Sequence, residues 1–70
     1  MHDRLEITLN GEPYELPAPA TVAGLLVLIG LDVRKVAVER NEAIVPRSAY
    51  AATVLARGDA LEIVHFIGGG

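Results

Sequence analysis

The sequence predicts an α+β domain, a mixed sheet of about five strands with one main helix packed on one face. Three observations predict it. Apolar residues alternate at a period of two near both ends of the chain, at Leu5, Ile7 and Leu9 and again at Leu61 and Ile63. That is the pattern of strands with one buried face. Between them Val22, Leu25, Leu26 and Ile29 fall at the i, i+3, i+4 and i+7 positions of a helix. Turn-forming pairs such as Asn10-Gly11 and Gly58-Asp59 separate the runs.

The elements follow in order. Leu5, Ile7 and Leu9 alternate with Glu6 and Thr8, and Asn10-Gly11 marks a two-residue turn. Such a turn places Leu9 opposite Glu12, Ile7 opposite Tyr14 and Leu5 opposite Leu16. Opposite residues share a face, so Tyr14 and Leu16 join the core side and only Glu12 breaks the pattern. Pro13 lacks an N–H and marks the second strand as an edge. Pro17-Ala18-Pro19-Ala20 is a connector. Thr21 is a good N-cap, and Gly30 stands where a left-handed C-terminal cap is wanted, with Leu31 placed to fold back. Gly24 costs the helix about 1 kcal/mol relative to Ala, which points to a close approach of helix and sheet. Val27 and Leu28 widen the apolar stripe beyond what one sheet face needs.

Val36 and Val38 form the third strand, Arg40-Asn41-Glu42 a turn, and Ala43-Ile44-Val45 a short strand stopped by Pro46. Ser48 is placed to cap a helical turn over Ala49–Ala52. The last strand runs from Leu61 to Ile67, with Leu61 and Ile63 toward the helix and Val64 and Phe66 away from it. This order, β-β-α-β-β-(short helix)-β, is that of a β-grasp domain, in which the last strand lies mid-sheet beside the first. The expected organisation is one β-grasp domain over residues 1–67 and a flexible glycine tail over residues 68–70.

Composition narrows the function. The chain has 70 residues, room for one small domain. Hydrophobic residues make up 51% and charged residues 21%, which is too apolar for disorder. With no Cys, it has no disulfide, thiolate metal site or cysteine nucleophile. The net charge of −3 argues against a nucleic-acid partner. No apolar run approaches the roughly 18 residues of a membrane span, and the polar start Met1-His2-Asp3-Arg4 is unlike a signal peptide. A soluble, cytoplasmic protein is expected. Two His, His2 and His65, with no carboxylate cluster nearby do not suggest a metal. No HExxH motif or phosphate loop is present, and so small a domain has little room for an enclosed substrate pocket. The expectation is a protein that is not an enzyme.

Gly68, Gly69 and Gly70 are hard to explain by packing. They read either as a frayed end or as a thread that carries an α-carboxylate away from the fold. Three residues span at most about 10 Å, enough to enter another protein's active site. Val64 and Phe66, on the face without the helix, read as an exposed apolar patch for a partner. His65 reads as a structural histidine, and Arg34, Lys35 and Arg47 as solvated charges. Glu12, Glu15, Glu39 and Glu62 give the sheet an acidic outer face suited to a basic partner.

Almost the whole chain resembles the ThiS family of sulfur carriers in thiamin biosynthesis. The resemblance rests on Asn10-Gly11-Glu12, Thr21-Val22-Ala23-Gly24-Leu25-Leu26, Val36-Ala37-Val38-Glu39-Arg40-Asn41, Ile44-Val45-Pro46-Arg47-Ser48 and Val64-His65-Phe66-Ile67-Gly68-Gly69-Gly70. It implies a ubiquitin-like fold and a carrier chemistry in which every catalytic group belongs to a partner. An adenylating enzyme of the ThiF type uses ATP and Mg²⁺ to convert the Gly70 carboxylate to an acyl-adenylate. A sulfur donor protein then supplies the sulfur of a Gly70 thiocarboxylate, and a thiazole synthase of the ThiG type consumes it. The resemblance implies no cofactor bound by this chain itself. Two rival readings share the glycine ending: the small subunit of molybdopterin synthase, whose chains tend to be longer, and a ubiquitin-like protein modifier, for which Lys35 is the only side-chain acceptor on a second copy.

Overall fold

The computed structural model describes residues 3–66. Six strands and helices carry the fold: β1 (Arg4–Leu9), β2 (Glu12–Pro17), α1 (Val22–Leu28), β3 (Val36–Arg40), β4 (Ala43–Val45) and β5 (Ala60–His65). Two 3₁₀ turns, Val33–Lys35 and Arg47–Ala49, punctuate them. The five strands make one sheet in the order β2-β1-β5-β3-β4. Only the β1–β5 pair is parallel, so the last strand made lies at the centre beside the first.

The hairpin register is the one the turn dictates. Leu9 pairs with Glu12, Ile7 with Tyr14 and Leu5 with Leu16. Asn10 and Gly11 have φ of 51° and 84°, the left-handed pair that a tight hairpin needs. Leu5, Ile7 and Leu16 are buried, and Tyr14 is half-buried on the same side. Asn41 and Glu42 repeat this device between β3 and β4, with φ of 53° and 71°.

Helix α1 begins where Thr21 caps it, its hydroxyl accepting from the Gly24 N–H at 3.0 Å. The remaining free donors of the first turn are taken by an irregular segment from far along the chain. Val22 N–H donates to Thr53 C=O and Ala23 N–H to Tyr50 C=O, both at 3.0 Å. That segment also sends Tyr50 and Leu55 into the core. The helix ends in a Schellman motif: Leu31 N–H donates to Leu26 C=O and Gly30 N–H to Val27 C=O, with Gly30 at φ 76°. Val22, Leu25 and Leu26 are sealed against the sheet, while Val27 and Leu28 point to solvent.

Three expectations need correction. Gly24 does not mark a close approach to the sheet: a Cβ there meets only the Thr21 hydroxyl, at 3.4 Å. Ser48 caps nothing. The turn is Arg47–Ala49, entered from Pro46 at φ −66°, and Ser48 lies within it. The capping position is occupied by Pro46, whose side chain has no acceptor, so no side-chain cap is made. Finally, β5 stops at His65. Phe66 N–H still donates to Lys35 C=O at 2.7 Å, but the Lys35 N–H is bonded to Asp32 C=O inside the 3₁₀ turn. The ladder therefore loses its return bond. Ile67 lies outside the described residues.

Candidate docking surface at the end of β5

The candidate surface is the sheet face opposite α1. Along β5, Leu61 and Ile63 are buried while Glu62 and Val64 face outward. Val64 is 60% exposed and Phe66 49%. Ala37 on β3 stands directly opposite Val64 and is also exposed. On the same face Glu39 of β3 lies between Glu62 of β5 and Ile44 of β4. Ile44 is 77% exposed, and β4 is too short for the alternation to have marked it beforehand. The outer face thus combines apolar side chains with an acidic row. Like charges opposite each other, as at Glu39 and Glu62, disfavour the sheet slightly. Glu12 and Glu15 are exposed as well, Glu15 in an ion pair with Arg4 at 3.1 Å.

Basic residues gather where β5 ends. The Phe66–Lys35 hydrogen bond places the start of the C-terminal residues beside Arg34 and Lys35. Arg47 reaches the Arg34 carbonyl at 3.3 Å. All three side chains are exposed. Arg34 is not simply solvated: it grips Asp32 through both Nε and Nη2, at 3.2 and 3.0 Å. The hydrogen bonds from the Arg34 side chain and backbone hold the Asp32 carboxyl down at about 2. His65 is exposed. Gly68, Gly69 and Gly70, the residues expected to react and to thread into a partner, lie outside the described residues.

The start of β5 is fixed by a buried carboxylate that the sequence did not mark. Asp59, 6% exposed, accepts from Arg40 Nε at 2.7 Å, Ala56 N–H at 2.8 Å and Asn41 Nδ2 at 3.0 Å. Burial pushes its pKa up, but these bonds outweigh burial and hold it below the ordinary value. An open cleft of about 330 Å³ on the outer side of the sheet, away from where β5 ends, is lined by Asp3, Arg4, Glu6, Glu15 and Arg57. It contains neither Val64 nor Phe66. Among the described residues, no helix is long and apolar enough to cross a membrane.

The family model for ThiS matches residues 7–70. The chain belongs to the ThiS family. A sulfur carrier protein ThiS from Bacillus subtilis is 42% identical over 65 residues, covering 91% of this chain and 98% of that one. The crystal structure of a thiamine biosynthesis protein (ThiS) from Geobacter metallireducens superposes with a TM-score of 0.79 at 33% identity, over 94% of this chain and 100% of that one. The sheet order and single helix are accordingly those of a ubiquitin-like β-grasp domain. A thiazole synthase from Magnetococcus marinus is 53% identical over 66 residues, 94% of this chain. The chain spans only 20% of that relative, and of a second thiazole synthase from Paramagnetospirillum magneticum.

Proposed function

We propose that this chain is a sulfur carrier in thiamin (thiazole) biosynthesis, a co-substrate of partner enzymes with no catalytic group of its own. The observation that carries the reading is the central position of β5, which brings exposed Val64 and Phe66 to the end of the sheet just before Gly68–Gly70 in the sequence. Membership of the ThiS family supports it.

In this reading a ThiF-type enzyme docks on the outer face and holds ATP and Mg²⁺. The Gly70 carboxylate, ionised at neutral pH, attacks the α-phosphorus and expels pyrophosphate. The terminal sulfur of a persulfide on a donor protein then displaces AMP from the acyl carbon. Thiol cleavage of the resulting S–S bond leaves the thiocarboxylate. Gly68 and Gly69 present no side chain to the partner's channel, and Val64 and Phe66 anchor the domain outside it. A ThiG-type thiazole synthase takes the sulfur.

The test is intact mass after incubation with ATP, a ThiF-type enzyme and a persulfide donor. The expected product is heavier than the starting chain by the difference between sulfur and oxygen, and it disappears when Gly70 is deleted. An unchanged mass, under conditions that convert the Bacillus subtilis carrier, overturns the proposal. Consumption of that product by a thiazole synthase separates this role from the molybdopterin branch.

A further inference from the structure

The hydrogen-bond parity of β5 exposes a feature that the outer face does not. Asn41 N–H donates to Ala60 C=O, and Phe66 N–H donates to Lys35 C=O. In an antiparallel ladder, bonded pairs alternate. The even-numbered residues of β5 therefore bond to β3, and the N–H and C=O of Leu61, Ile63 and His65 point toward β1. β1 pairs with β5 only at Thr8–Ala60 and Leu9–Leu61. The chain then turns away, and Asn10 finishes the ladder in its place. Its backbone N–H donates to Leu61 C=O at 2.8 Å. Its side-chain amide accepts from Ile63 N–H at 2.8 Å and donates to Ile63 C=O at 3.3 Å. Beyond Asn10, His65 has no hydrogen-bond partner on this side among the described residues.

The outer edges of the sheet are blunted. β2 carries Pro13 and Pro17, and β4 has three residues and ends at Pro46. Prolines and short strands prevent a further strand from adding. The stretch Val64-His65-Phe66 has neither device. It is made of residues that fit a pleated strand, its Val64 and Phe66 are exposed, and only Ile67 separates it from the glycines in the sequence.

We propose that the protein receiving the glycines, a thiazole synthase, adds an extended segment to this open edge and pairs its main chain with the N–H and C=O of His65. The inference rests on the carrier reading above and specifies how the partner grips. Main-chain pairing supplies affinity whatever the side chains are, and apolar side chains of the added strand supply specificity over Val64 and Phe66. The thiazole synthases that contain a stretch similar to this domain favour this occupant over a second copy.

The test separates backbone from side chain at one position. His65→Ala keeps the N–H, whereas His65→Pro removes it. That N–H faces the open edge, so proline breaks no bond within the domain. Calorimetric titration against thiazole synthase is expected to give binding within about twofold for His65→Ala and about tenfold weaker for His65→Pro, the loss of one backbone hydrogen bond. Equal binding by both variants overturns the inference. If His65→Pro fails to fold, amide exchange on the unaltered chain decides. The His65 N–H is expected to exchange fast when free and at least about tenfold slower in the complex, and unchanged exchange overturns the proposal. Tight binding with an unprotected His65 N–H removes this inference alone. Failure of the unaltered chain to bind the synthase removes the carrier reading with it. A dimer in sedimentation that His65→Pro abolishes assigns the edge to a second copy and overturns the synthase as its occupant.

Discussion

Replacing Asn10 with glycine removes one side-chain amide and keeps the turn. Gly-Gly is an accepted pair for this hairpin, so the backbone at φ 51° remains available. The two backbone effects oppose each other. Glycine sheds the left-handed penalty, under about 1 kcal/mol for Asn, but frees the unfolded chain at a cost of about 0.4–1 kcal/mol. What remains is the loss of the Ile63 N–H bond at 2.8 Å and the Ile63 C=O bond at 3.3 Å. The first has good geometry and the second is long. At roughly 0.5–1.5 kcal/mol each, Asn10→Gly is expected to destabilise the domain by about 1–2 kcal/mol. For a chain of this size that lowers the Tm by roughly 5–15 °C. Thermal and urea unfolding measure the loss, and amide exchange at Ile63 locates it. An unchanged midpoint with Ile63 still protected would refute the argument that Asn10 completes the strand.

Four further outcomes are expected. Phe66→Ala, at a 49% exposed position, should cost about 1 kcal/mol or less while weakening partner binding; Ile63→Val, 8% exposed, should cost about 0.5–1.5 kcal/mol and leave binding by the folded fraction unchanged. If urea titration and calorimetry reverse the two roles, the facing of β5 is wrong. Glu42→Gly relieves a non-glycine residue at φ 71° and should raise stability by up to about 1 kcal/mol, and a lower urea midpoint contradicts the left-handed turn. Gly24→Ala should also raise the Tm, by the helix preference of about 1 kcal/mol, since only the Thr21 hydroxyl is nearby; a fall means the cap is disturbed. The Asp32 carboxyl is held at about 2 against an ordinary 3.8. Its folded pKa lies below the unfolded one, so its contribution is complete above 3.8 and is lost as pH falls toward 2. Asp32→Asn should flatten that part of a Tm-versus-pH curve, and an identical acid limb removes the ion pair from the account.

The parts of the fold legible in the sequence were those governed by neighbours a few residues apart. A two-residue turn fixes a hairpin register, and period two then assigned Tyr14, Leu16, Ile63, Val64 and Phe66 to their faces. Thr21, Gly30 and Leu31 announced both ends of the helix. What escaped depends on residues distant in the chain. Tyr50 and Leu55 enter the core from a segment with no period, held there because Tyr50 and Thr53 satisfy the first turn of α1. Asp59 is buried against Arg40 and Asn41, and Asn10 serves Ile63, 53 positions away. Neither role leaves a local signal. Ser48 and Gly24 depart from the commonest local role of their residue types: the capping position of the turn falls on Pro46, and no neighbouring element comes close to Gly24.

The central place of β5 makes the whole sheet depend on its last strand. β1–β2 and β3–β4 are each paired within themselves, but only β5, the last strand in the sequence, lies between β1 and β3 and joins them. A chain that ends before β5 has two hairpins with no strand between them, and an isolated hairpin is marginally stable at best. The same strand that joins the two hairpins carries Glu62 and Val64 of the outer face, so a chain without β5 lacks both the joint and that part of the face.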